Sequence, residues 1–250
     1  MSDTTQWQLT PTEFAWLWHR ETRLDAFDYP LPIVIRESRG TPDEYARKVA
    51  GFNARFPHGA EQALSAAFLI LEQAETRLRC MGSLRDGTQL RVHGAALDRL
   101  GVVAHQRTDA ATESGTISLT LTPRGQVPSL VCAQLPATEA GRAGRLIGYT
   151  PRVRAEQQPD IWGRTADGSV PVEERIRTLV MTQPRSAEGY FVIERGLDQP
   201  RPPEPIYTSW IDIEPGRKSS GRYLIDVDHM DTTLTPVTPT TLVQELVRRC

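Results

Sequence analysis

The segment "YLIDVDHMD", residues 223–231, carries the residue types that chemistry would need. Asp226 and Asp228 are two apart and share one face of a strand, and His229 and Asp231 follow in the turn. Carboxylates and an imidazole in this arrangement could hold a divalent cation, which is the pattern of a metal-dependent enzyme. The alternation argues otherwise. Tyr223, Ile225 and Val227 take the buried parity, which leaves Asp226 and Asp228 to the water side. Asp212 and Glu214, the other candidate acid–base pair, alternate with Ile211 and Ile213 in the same way.

Elsewhere the chemistry is thinner. The five histidines include no pair at i, i+4. His93 and His105 fall on adjacent expected strands, but a zinc site needs several ligands converging, and the spacing gives two strand histidines at a sheet surface. "GRAGRLIG" has glycines without a strand–glycine–helix setting or the Lys-Ser/Thr of a phosphate loop, and there is no G-x-S-x-G elbow. Arg217 and Lys218 sit in a polar loop, where solvated cations are the rule. The three cysteines, Cys80, Cys132 and Cys250, are far apart and odd in number, as expected of reduced thiols. A net charge of −2 gives no electrostatic case for nucleic acid or an anionic membrane. "MSDTTQWQLT" lacks the features of a signal peptide, and no apolar run is long enough to span a bilayer, so a cytoplasmic protein without a cofactor is expected.

The elements that would position these residues follow from period and punctuation. Thr10, Pro11 and Glu13 form a capping box that opens a helix over about 11–23, with Phe14, Leu17 and Trp18 as its stripe. Trp16 lies off that stripe, either on a partner-facing patch or at a crossing into the other half. "YPLPIVIRES" reads as an edge strand, and Thr41, Pro42 and Glu44 open a second helix. "GAEQALSAAFLILEQA" is a third helical window. Four β-prone runs follow, and the DG turn in "SLRDGTQ" predicts a hairpin pairing 77–81 with 89–93. "VPSLVCAQLP" is a short helix, and residues 137–168 read as a connector rich in Gly, Arg and Pro. A helix capped by Ser169, three strands and a proline-led helix with Leu242 and Leu246 complete the chain. The runs "TQLRVHG", "VVAHQR", "TISLTLT" and "VPSLVCAQL" are echoed by "YFVIER", "YTSWIDI", "RYLIDV" and "TPTTLVQEL". The expectation is one α+β unit over 1–250, a central antiparallel sheet with flanking helices, in two quasi-symmetric halves, 1–136 and 169–250.

Three places carry a resemblance: "WQLTPTEFAWLWHRE" with "YPLPI"; "VVAHQ", "ISLTL" and "SLVCAQLP" in that order; and "GYFVIERG" with "SWIDIEPGRKSSGRYL" before the last helix. Together they resemble the EspG family of ESX (type VII) secretion-associated proteins. The resemblance implies a cytosolic, non-enzymatic chaperone that grips the apolar tip of a PE–PPE heterodimer and keeps it soluble. It also implies a partner surface from the sheet region, a hairpin and the closing helix. Carried onto this sequence, these are Gly82, Ser83, Leu84, Arg85, Asp86 and Gly87, with Leu242, Leu246 and Val247. A metal-dependent enzyme and a non-catalytic scaffold homodimer are the alternatives, and self-association is compatible with either half offering an edge strand.

Overall fold

In a computed structural model, residues 4–24, 28–36, 41–108, 115–157 and 168–250 are described. The first half opens with β1 (Thr5–Leu9), then α1 (Pro11–Thr22), α2 (Pro42–Arg55) and α3 (Gln62–Gln73). Strands β2 (Thr76–Leu84), β3 (Gln89–Leu97), β4 (Leu100–Thr108) and β5 (Ile117–Pro123) follow, and α4 (Val127–Cys132) closes the half. The second half runs β6 (Leu146–Tyr149), α5 (Thr150–Val153), α6 (Val172–Met181), β7 (Arg185–Arg195), β8 (Ile206–Ile213), β9 (Gly221–Asp228), β10 (Asp231–Pro236) and α7 (Pro239–Arg249). The strands form one antiparallel sheet in the order β1-β5-β4-β3-β2-β7-β8-β9-β10-β6. The fold is α+β with a large central antiparallel sheet.

Counted outward from the β2–β7 seam, each half lays down four consecutive strands and then the strand that opened it. The echo in the sequence is therefore offset by one strand. It matched β3–β5 to β7–β9, whereas the connectivity matches β2–β5 to β7–β10. The expected connector is also not plain loop: it contains β6, which pairs with β10 at the sheet edge, and α5. Its residues 158–167 lie outside those described.

Local chemistry sets the helix starts. Thr10 and Thr41 accept from the backbone N–H of Glu13 and Glu44, whose carboxylates reach back to the cap N–H groups. Helix α7 uses Thr238 and Thr241 in the same way. Helix α6 departs from expectation. Pro171, not Ser169, stands at its N-cap. Tyr29–Arg36 of the expected edge strand is not a strand, because Pro30 and Pro32 supply no N–H for a ladder. Side chains hold it instead: Gln106 accepts from the Val34 N–H at 3.0 Å and donates to the Val34 carbonyl at 2.9 Å, while His93 Nδ1 donates to the Leu31 carbonyl. The remainder of that run, residues 37–38, lies outside those described.

Strand alternation gives the sheet two faces. On one, α1 and α3 cover β3, β4 and β5 over a core that includes Phe14, Trp18, Phe68, Ala104 and Leu119. At the far end of that face α6 covers Leu146, Ile211, Tyr223 and Leu234. On the other face α4 and α7 cover the middle of the sheet, over Leu78, Val92, Phe191, Trp210 and Leu224. Trp16 holds α2 to α1, with its ring 5.6 Å from Phe52 and the Arg20 guanidinium 4.4 Å above it.

Candidate functional site

The middle of the sheet differs on its two faces, and the same strands build both. Under α4 and α7, Gly82 and Gly189 stand opposite each other across the β2–β7 seam. A Cβ on Gly82 would lie 2.7 Å from the Trp210 ring, and one on Gly189 would lie 2.1 Å from the Met81 carbonyl oxygen. The paired glycines are what let Trp210 lie flat across the seam. The Arg222 guanidinium sits 5.2 Å from that ring and donates to both carboxylate oxygens of Asp212, at 2.7 and 2.6 Å. Arg222 also donates to the Pro136 carbonyl at 2.8 Å, and Thr138 donates to Asp212 at 3.0 Å. Asp212 is 0% and Arg222 1% exposed. The expectation that Asp212 faces water is therefore wrong. Alternation identifies a water side only where one face of the sheet is open, and at this end of β8 both faces are covered, with Ile211, Asp212 and Ile213 buried in succession.

The same correction applies to β9. Arg222, Tyr223 and Leu224 are buried in succession, whereas Val227 is exposed. Asp226 is tied to α7, accepting from Arg249 at 2.7 and 2.9 Å. Burial pushes its carboxyl up, but the hydrogen bonds and charge of Arg249 outweigh it and hold it below the usual carboxylate range. Asp228 and His229 point into solvent 3.6 Å apart, and Asp231 is exposed. The four residues of the candidate metal cluster thus do not converge, and among the described residues no group of three or more His, Cys, Asp or Glu is placed to hold a metal. His93 and His105 are also separated. His93 pairs with Ala104 and His105 with Val92, so their rings leave opposite faces of the sheet. Burial lowers the pKa of each to about 4.

The hairpin forms as the DG turn predicts. Arg79 stands opposite His93 and Met81 opposite Arg91. Gly87 has φ +86°, and Asp86 accepts from the Thr88 N–H at 2.9 Å. The hairpin is not a free loop. The Arg85 N–H donates to the Ser186 carbonyl at 2.9 Å, and the Arg85 side chain pairs with Glu214. Gly82 lies within the sheet, Ser83 and Leu84 are half-buried, and Arg85 and Asp86 are exposed beside the half-buried Gly87. In α7, Leu242 and Leu246 are fully buried in the core beneath the helix. They hold α7 on the sheet and present no surface to a partner, whereas Val247 is 52% exposed.

What the sequence did not single out is the opposite face of the seam. Between α3 and α6 the sheet carries no helix among the described residues. Met81 and Tyr190, paired across β2 and β7, are 36% and 40% exposed, and Tyr207 is 64% exposed. Met81 and Tyr190 line a groove of about 510 Å³, with Ser209, Ile211 and Ile225 along it and Val180 of α6 at its side. Arg91, Arg185 and Glu188 form its polar rim. An uncovered, partly aromatic sheet face with a charged rim has the composition of a protein-binding surface. The sequence signal was parity alone: Cys80, Phe191 and Trp210 mark one face, so Met81, Tyr190, Tyr207 and Ser209 mark the other.

The fold is a helix-flanked antiparallel sheet, and the open face of its middle is the candidate binding surface. Residues 10–248 match the EspG family, and the chain belongs to that family. Membership gives it the role of a chaperone of ESX (type VII) secretion. No curated protein matches the chain. The solved structure of the 12:0-ACP thioesterase from Umbellularia californica aligns over 94% of each chain at 8% identity, but its TM-score of 0.14 carries no argument. Among the described residues no helix is long and apolar enough to cross a membrane.

Proposed function

We propose that this chain is a cytoplasmic chaperone that binds the helical tip of a PE–PPE heterodimer, keeps it soluble and directs it to its secretion system, without catalysing a reaction. The uncovered face between α3 and α6 carries this reading, because it offers aromatic and apolar side chains with a polar rim, whereas the opposite face of the same strands lies beneath α4 and α7. A helix end laid on Met81, Tyr190 and Tyr207 would hide its own apolar residues from water, which is what a partner prone to self-association requires. Contacts from the hairpin at Arg85 and Asp86, and from Val247 on α7, belong to the same reading as secondary contacts. The test is co-expression with the PE–PPE pairs of its own genome, followed by size exclusion and calorimetry. Co-elution with one pair as a stoichiometric complex is the expected result; failure with every pair would overturn the reading.

A further inference from the structure

The floor of the open groove contains a sulfur atom. Met81 lines it, and the Tyr190 hydroxyl donates to Met81 Sδ at 2.9 Å across the β2–β7 seam. The thiols of the protein are poor redox groups. Burial raises the pKa of Cys80, Cys132 and Cys250, the last two to about 12 and about 11, so little thiolate forms at neutral pH. Thioethers need no deprotonation. Met181 and Met230 are 71% and 52% exposed, more than Met81, but neither lines the groove. Among the described methionines Met81 alone lines the groove, so its oxidation is the one that alters that surface.

We propose that Met81 is an oxidation-sensitive contact that releases the bound partner, an inference that rests on the docking reading above. A peroxide supplies the oxygen. The sulfur lone pair attacks one peroxide oxygen, the O–O bond breaks, an S–O bond forms, and water leaves. Sulfur is oxidised by two electrons and the peroxide is reduced by two. The product is a polar sulfoxide in an apolar floor, with an oxygen that accepts from Tyr190 more strongly than the thioether does. A partner that covers it must desolvate that oxygen, and the expected loss is roughly tenfold in affinity.

The experiment treats the full-length protein alone with hydrogen peroxide, quantifies each methionine by peptide mass mapping, and then measures affinity for a purified PE–PPE pair. Wild type and Met181→Leu should lose affinity in step with conversion at Met81. Met81→Leu sets its own untreated baseline, and its affinity relative to that baseline should be unchanged by treatment. Unchanged affinity with Met81 fully converted, an equal loss in Met81→Leu, or resistance of Met81 under conditions that convert Met181 would each overturn the proposal. If the untreated protein binds no pair, the docking reading fails instead, and the mass map still reports whether Met81 is reactive.

Discussion

The two faces of the β2–β7 seam are made by neighbouring residues of the same strands, yet they do opposite work. Cys80, Phe191 and Trp210 are fully buried beneath α4 and α7, while Met81, Tyr190 and Ser209, each one position along, face the open groove. On the covered face the buried charges are matched: Arg222 to Asp212, Asp212 to Thr138, Arg222 to the Pro136 carbonyl. On the open face the charged groups Arg91, Arg185 and Glu188 stand at the rim of a groove lined by Met81, Tyr190, Ile211 and Ile225. A buried pair is strongly destabilising to break, whereas an exposed aromatic costs the fold little to lose. Stability and binding should therefore separate by strand parity.

The largest effect should come from breaking the buried pair. Asp212→Ala leaves the Arg222 charge uncompensated and should cost about 3–5 kcal/mol, read by chemical denaturation. A loss below about 1 kcal/mol would mean that Arg222 finds another partner or reaches water. Next comes the glycine seam. Gly189→Ala places a Cβ against backbone at 2.1 Å, with nothing flexible to yield, and should cost about 1–3 kcal/mol. On the open face, Tyr207→Ala should leave the unfolding midpoint nearly unchanged and weaken partner binding by about 2 kcal/mol, roughly 30-fold. Equal losses of stability from Tyr207→Ala and Asp212→Ala would erase the distinction between the faces.

A pH series sharpens the comparison further. Burial holds His93 and His105 at about 4, against 6.5 when unfolded. Between those values the unfolded chain binds more protons, so their contribution is complete above about 6.5 and is lost as pH falls toward 4. Asp226, held low by Arg249, contributes stability that is complete above its usual value of 3.8 and is lost only as pH falls below it. His93→Gln should flatten the upper part of the acid limb and leave the lower part in place. The smallest effect belongs to the hairpin: Arg85→Ala removes an exposed ion pair to Glu214 and should change stability by less than about 0.5 kcal/mol.

Much of this fold was legible in the sequence because local chemistry enforces it. The capping boxes at Thr10 and Thr41 and the Asp86–Gly87 turn act within a few residues, and the structure uses them as read. What failed depends on distant partners. Asp212 reads as a surface carboxylate until Arg222 and the segment carrying Pro136 and Thr138 are seen to meet it. Strand β6 is four residues in a stretch without period, formed because β10 offers an edge to pair with. The segment at Leu31 and Val34 reads as a strand because prolines suit sheet edges, yet His93 and Gln106 satisfy it from the side instead. The site was the least legible part. Gly82 looked like hairpin and is seam. Leu242 and Leu246 looked like contact residues and are core. The open face follows from parity only once α4 and α7 are known to cover the other side.

The central claim is that the partner docks on the open face of the seam. Hydroxyl-radical footprinting of the protein with and without its PE–PPE pair tests this most directly. The account predicts strong protection of Tyr207, Tyr190 and Met81, with Val247 and the exposed β9–β10 turn at Met230 altered far less. Protection concentrated at Val247 and the hairpin, with Tyr207 as reactive in the complex as in the free protein, would contradict it.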